Sequence, residues 1–206
     1  MRIAVVAATG RSGREVVRAA LERGHEVVAV VRAPSRLAGP PVPFVAADAG
    51  DEGALSAAFT GCDAVVWCVG PVRGEATGVM ERTIRATLAA VRTAGVPRLV
   101  VISASGPFTE GDGFLLARVV KPVVGRVLRS AFADIAATDA IVRASDVPWT
   151  IVRPPQLPDG RARGYRATRD GNVARGFRIG RADLATALLD VVEDPTAVHA
   201  VVSVAR

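Results

Sequence analysis

A chain of 206 residues, half of them hydrophobic but only 4% aromatic, holds enough apolar material for one domain whose core is filled by alanine, valine and leucine. Its net charge of +6 comes from 26 basic residues against 20 acidic ones. The arginines (Arg11, Arg32, Arg73, Arg98, Arg143, Arg161) are scattered, without the dense tail or aromatic-interleaved stripe that nucleic-acid binding requires. No apolar run reaches the ~20 residues that span a bilayer, and the chain starts directly in a strand pattern with no secretory leader, so a soluble, cytoplasmic protein is expected.

In chain order, residues 3–8 (IAVVAA) read as a buried strand and 13–23 (GREVVRAALER) as an amphipathic helix stopped by Gly24. Strands follow at 26–31 and 42–48, then a helix near 52–60 and a buried strand at 63–69. Cys62 and Cys68 flank or sit in that strand. Two cysteines make no disulfide framework, so both are expected to be reduced. A helix over roughly 76–94 ends ahead of Gly95 and Pro97, a strand covers 98–104, and a helix covers 134–145. A strand at 149–153, a helix at 182–193 ending ahead of Pro195, and a strand at 200–204 complete the series.

β-Branched runs alternating with helical patterns predict a three-layer α/β domain of the Rossmann type, with a mostly parallel sheet covered on both faces. One NAD(P)-binding domain is expected over 1–206. Two segments break the rhythm, 105–130 and 154–180. Both follow strand ends on the ligand-binding side of such a sheet, and together they are expected to build a small substrate lobe.

The first turn, VVAATGRSG, has the strand–turn–helix context of a phosphate-binding loop. Thr9 and Gly10 make the turn, Gly13 lets the helix approach the strand, and backbone N–H groups of the first helical turn are suited to a diphosphate, with Arg11 and Ser12 available for side-chain contacts. The plainer alternative is a glycine-rich crossover that binds nothing. The second strand ends in Arg32, followed by Ser35 and Arg36, with no carboxylate before Asp48. An arginine fork suits the 2′-phosphate of NADP, unless Arg32 is merely a solvated strand end. Asp48 either contacts the adenine or caps the helix near Glu52. Gly70 allows close backbone approach beside the cofactor groove.

The stretches AATGRSG, VVRAPSRL, VAADAGDEGAL, CDAVVWCVG, RLVVISASG, VPWTIVRPPQL and RIGRADLATALLDVV together resemble the atypical short-chain dehydrogenase/reductase group, which includes the biliverdin reductase B-like flavin reductases and the NmrA-like proteins. In that family the turn reads GATGxxG. Gly10 and Gly13 match two of its glycines and Ala7 replaces the first, an exchange the turn tolerates if the φ of Ala7 is negative. The resemblance implies that Arg32 recognises the 2′-phosphate and that Asp48 lies on the adenine side. Many relatives carry Tyr-x-x-x-Lys on the helix after the fifth strand. Here Ala131 and Ile135 fall near those positions, and Lys121 has no tyrosine at 117.

Biliverdin reductase B-like proteins also lack the pair, and the resemblance implies hydride transfer by stacking and proximity. It places Ser103 as an orienting hydroxyl near the nicotinamide with Ser105 as a neighbour, although strand-end hydrogen bonding accounts for both equally well. Arg153 ends the sixth strand. Pro154 and the backbone around Gln156 are expected on the nicotinamide side. Tyr165 either stacks on an acceptor or is exposed, and Arg161, Arg163 and Arg166 either favour an anionic acceptor or are simply solvated. Asp134, Asp139 and Asp183 are the candidates for a hidden proton donor. No spacing supports a metal site, and no G-x-S-x-G occurs. The expected function is an NADPH-dependent reductase of a small planar acceptor, flavin-like, quinone-like or a conjugated carbonyl. The alternative is a non-enzymatic NADP-binding regulator of the NmrA-like kind.

Overall fold

The computed structural model describes residues 1–34, 41–71, 78–108 and 129–206. The apolar runs form strands buried on both faces, because each is flanked in the sheet and covered by helices above and below. The elements are β1 (Arg2–Val6), α1 (Arg11–Glu22), β2 (Glu26–Val31), β3 (Phe44–Ala46), α2 (Glu52–Phe59), β4 (Ala64–Trp67), α3 (Val79–Ala94) and β5 (Leu99–Ile102). After the next crossover come α4 (Arg129–Arg143), β6 (Trp149–Arg153), β7 (Arg166–Arg169), α5 (Arg181–Glu193), a 3-10 turn (Pro195–Ala197) and β8 (Ala200–Ala205).

The eight strands lie in the order β3-β2-β1-β4-β5-β6-β8-β7. Every pairing is parallel except β7 with β8. Strand alternation sorts the core into two layers. Ile3, Val5, Val27 and Ala29 pack under α1 and α5, while Ala4, Val6, Val28, Val30 and Trp67 pack under α2, α3 and α4. This is the expected three-layer Rossmann-type architecture. No helix among the described residues is long and apolar enough to cross a membrane.

Three local expectations are corrected. Strand β3 is only Phe44–Ala46, and Phe44 is half exposed at the sheet edge. Helix α4 starts at Arg129 instead of 134. The segment 154–180, read as pure loop, contains β7, whose sequence RATR has no apolar pattern to betray it. β7 is held from outside the core: Thr168 pairs Ser203 in the ladder, and the Arg169 guanidinium donates to Asp194 Oδ2 at 3.2 Å and Thr196 Oγ1 at 2.8 Å. Its exposed arginines also discourage pairing by a further strand.

Sheet order reverses at β1, with β2 on one side and β4 on the other, so the C-terminal edge between β1 and β4 is the switch point where such folds bind ligands. The β1–α1 turn closes there through Gly10 N donating to Ala7 O at 2.9 Å. A Cβ on Gly13 would stand 2.4 Å from Ala7 O and 2.9 Å from Ala8 Cα, so only glycine lets α1 settle against the turn. Ala7 itself has φ +60. The negative φ expected for an alanine at this position is therefore corrected: the turn keeps the left-handed geometry of a glycine and imposes it on alanine.

The left-handed region costs an L-residue about 1–2 kcal/mol, whereas a glycine adds about 0.5–1 kcal/mol of chain entropy to the unfolded state. Ala7→Gly is therefore expected to stabilise the fold by a net amount on the order of 0.5–1 kcal/mol, raising the calorimetric melting midpoint by roughly 1–4 °C. A lowered midpoint would contradict this.

Candidate functional site

A cavity of about 440 Å³ opens at the switch point, lined among others by Thr9, Gly10, Arg32, Asp48, Gly70 and Arg82. The volume falls within the range of small-ligand and cofactor sites. Gly10 is the N-cap of α1; it offers no side-chain cap, and the first turn carries no acidic residue. The helix N-terminus is thus left open to an anion, as the diphosphate of a dinucleotide requires. Among the described residues nothing lies within 4 Å of where a Cβ on Gly70 would stand, and its φ is not left-handed. The glycine keeps space clear in the groove. On the floor, burial pushes the Cys68 thiol up to about 12, so it behaves as apolar lining and not as a nucleophile.

The β2–β3 end of the cavity is polar. Arg32 is exposed at the end of β2. Asp48 accepts from Gly50 N at 2.8 Å and from Arg82 Nη1 at 3.1 Å. The Gly50 N–H, then Arg82 and Arg32, hold its carboxyl below the usual range against a desolvation penalty. Asp48 does not cap α2. That cap is Asp51, whose side chain accepts from Ala54 N at 3.0 Å. Asp48 is therefore left to line the cavity. Arg82, on α3, was not expected from sequence. Its guanidinium lies where a side chain on residue 50 would be, 1.9 Å from the position of a Gly50 Cβ. The signal was present only indirectly, in a glycine two residues after Asp48 and an arginine one turn into α3.

Two strands along the sheet from β1, outside the lining of that cavity, β5 and β6 run side by side with Ile102 opposite Val152, so Ser103 and Arg153 are neighbours on the face covered by α4. Arg153 donates through Nε at 3.0 Å and Nη2 at 2.9 Å to Asp139 Oδ2, and its guanidinium stacks 3.3 Å above the Phe108 ring centroid. The pair is buried, with side chains 7% and 3% exposed. Burial pushes the Asp139 carboxyl up, opposed by the Ser103 hydroxyl and Arg153. The loop after β5 is fixed by Ser105 N donating to Pro154 O at 2.9 Å and Asn172 Nδ2 donating to Phe108 O at 2.8 Å. Pro154 is buried. Ile135 is buried on α4, so neither position of the Tyr/Lys pair carries a proton donor.

Other expected site residues are spent elsewhere. Arg11 forms an ion pair with Asp159, which also meets Arg181 Nη1 at 2.6 Å, tying the segment after β6 to the phosphate turn. Ser12 lies in the first turn of α1, half-buried. Gln156 uses its backbone to bridge Phe177 and Ile179, while the residue is exposed. Tyr165 is corrected: its ring packs against the α1/α5 core layer and its hydroxyl donates to Asp190, which also meets Arg23 Nη2 at 2.6 Å at the far end of α1 from the phosphate turn. An aromatic ring with this much surface is held by the core in preference to solvent. Asp183 accepts from Arg163 N at 2.8 Å and Gly164 N at 2.9 Å, so it organises this loop. Arg161 and Arg163 line a separate cavity of about 230 Å³, and Arg166 donates to Ala174 O at 3.0 Å. Arg36 and residues 109–128 of the first substrate segment lie outside the described residues. Among the described residues no cluster of three His, Cys, Asp or Glu side chains could hold a metal.

If the groove takes a dinucleotide, Gly70→Val fills it without touching the core. The melting midpoint should stay within the shift of a neutral surface change, about 0.5 kcal/mol. Affinity for NADP(H), measured by calorimetry, should fall at least tenfold. Undiminished affinity would place the ligand elsewhere.

Residues 7–195 match the NAD(P)H-binding family. The Bacillus subtilis protein YwnB is 27% identical over 202 residues, covering 95% of this chain and 93% of YwnB. The crystal structure of a Lactobacillus casei protein superposes with a TM-score of 0.81 at 26% identity, covering 100% of this chain and 99% of that one. A Streptococcus pneumoniae protein provisionally assigned as an NADH-flavin reductase shares the fold with a TM-score of 0.83 at 23% identity, covering 100% and 99%. With residues 7–195 matched and a Rossmann-type sheet, the chain belongs to the NAD(P)H-binding family.

Proposed function

We propose that the protein is an NADPH-dependent reductase that passes a hydride to a small planar acceptor of the flavin, quinone or conjugated-carbonyl class, as its resemblance to biliverdin reductase B-like flavin reductases suggests. The observation that carries the cofactor choice is the pair of arginines, Arg32 and Arg82, lining the end of the groove where an NAD site commonly places a carboxylate at the close of β2. Bound NADPH supplies the hydride. The chain supplies the groove that holds the dinucleotide extended, the α1 N-terminus for its diphosphate, and the Ser103 edge for its reactive end.

The absence of a tyrosine acid at 131 supports acceptors that need no protein proton as the hydride arrives. It also supports a second reading, an NADP-binding regulator that turns nothing over. An aerobic NADPH-oxidation screen with FMN, riboflavin, quinones and dichlorophenolindophenol separates the two. Turnover of any of these well above the protein-free rate supports the reductase, and tight NADPH binding with no turnover across the panel supports the regulator.

The cofactor choice has its own test. A charge-assisted hydrogen bond contributes about 1.5–3 kcal/mol, roughly ten- to a hundredfold in affinity. Arg32→Ala is expected to weaken NADPH by about that factor and NADH little, as measured by calorimetry. Equal wild-type affinity for the two cofactors would defeat the NADPH assignment.

A further inference from the structure

Two buried polar atoms at the β5–β6 end lack hydrogen-bond partners among the described residues, Ser103 Oγ and Asp139 Oδ1. Asp139 is 2% exposed and its other oxygen takes both Arg153 donors. A buried acceptor left without a donor is uncommon, and in a native fold it marks a strained group, a bound water or a place completed by a ligand. The Ser103 hydroxyl lies close enough to influence the Asp139 carboxyl, and Ser103 Oγ and Asp139 Oδ1 are the polar atoms of the two residues left for that contact.

The chemistry of the pair fixes a polarity. Arginine does not give up its proton, so the partner carboxylate is ionised and offers only acceptor sites. The single hydrogen of Ser103 then belongs to Oδ1, and the hydroxyl presents lone pairs to whatever lies over the end of β5. Arg32 ends β2 and Ser103 follows β5, three strand spacings away across β1 and β4. At about 4.8 Å per spacing this is roughly 14 Å, the span between the two ring systems of an extended dinucleotide. The group arriving at Ser103 is the nicotinamide carboxamide, which can offer either its N–H₂ or its C=O.

We infer that Asp139 is a positioning residue: buried behind Ser103 and anchored by Arg153, it holds the serine hydroxyl as an acceptor, so that the carboxamide must present its amino group and the ring takes one orientation. This rests on the dinucleotide reading above. Ser103 touches the ligand and Asp139 acts only through it.

The test uses NADP⁺, its 3-acetylpyridine analogue, which keeps the carbonyl but has no amino group, and 2′-phospho-ADP-ribose, which has no ring. Wild type should bind NADP⁺ about three- to tenfold tighter than the acetyl analogue, the value of one neutral hydrogen bond. In Asp139→Asn the Arg153 donors claim the amide oxygen, so the amide N–H₂ faces Ser103 and turns its hydrogen toward the ligand. The preference should vanish or invert, with 2′-phospho-ADP-ribose affinity unchanged. Ser103→Ala should also erase the preference. Should Asp139→Asn fail to fold because Arg153 loses its counter-charge, Asp139→Asn/Arg153→Met removes that charge and should show a ratio near one. A wild-type ratio of one, or a folded Asp139 variant that keeps the wild-type ratio, overturns the inference and leaves the dinucleotide reading intact. Failure of wild type to bind any of the three ligands overturns both.

Discussion

The carbonyl of Ala7 leaves no room for a side chain at residue 13, and the architecture of the groove depends on that one contact. With glycine at 13, α1 seats its first turn directly on the end of β1. The same turn closes back on Ala7 O through Gly10 N, so the uncapped end of α1 is aimed along the sheet edge. A methyl at 13 would force helix and strand apart and carry the N–H groups out of the groove. The left-handed Ala7 is part of the same constraint. Its strain is of a size that a domain with two buried core layers absorbs, and it sits at a ligand site, where such strain concentrates.

Most of the architecture was legible because one physical rule governs it. A parallel strand covered on both faces is a nearly continuous apolar run, and IAVV, EVVAVV, AVVW, LVVI and WTIVR each announce such a strand. β7 was illegible for the converse reason: it lies at an edge and is held by arginine side chains and ladder bonds, which leave no periodicity. That Thr9, Gly10, Arg32 and Asp48 gather around one cavity was legible because their spacing from strand ends is local. Arg82 was not, since only the packing of α3 against α2 brings it to Asp48. Tyr165 was misread because sequence shows an aromatic residue in a loop but not the core surface available to it. The φ of Ala7 was hidden because alanine carries no sign of left-handed geometry.

The excess of arginine does not mark one binding face. Much of it is distributed over ion pairs such as Arg11–Asp159, Arg92–Asp146 and Arg85–Glu81, whose partners are largely solvated and add little to stability. Arg153–Asp139 differs in kind, because removing either partner strands a charge in the core, at roughly 3–5 kcal/mol. Residues 131, 135 and 139 follow one another at the i, i+4 spacing that shares a helix face. The face of α4 that carries Ala131 and Ile135 therefore holds a buried polar group, Asp139, one turn farther along.

That shift bears on which acceptors suit the proposed reductase. Hydride addition to an isolated carbonyl leaves an alkoxide, a strong base that needs a proton in the same step. A positioned acid typically contributes ~10²–10⁴-fold to such a reaction. Asp139 is committed to the two Arg153 donors and Asp183 to two loop amides. Hydride addition to a flavin or quinone instead leaves a delocalised anion that water protonates afterwards. For these acceptors alignment over the dinucleotide is the main requirement, and effective molarities of ~10⁵–10⁸ M are attainable from alignment alone. A site that aligns its cofactor, as we propose for Ser103 backed by the Asp139–Arg153 pair, is matched to acceptors of the second kind.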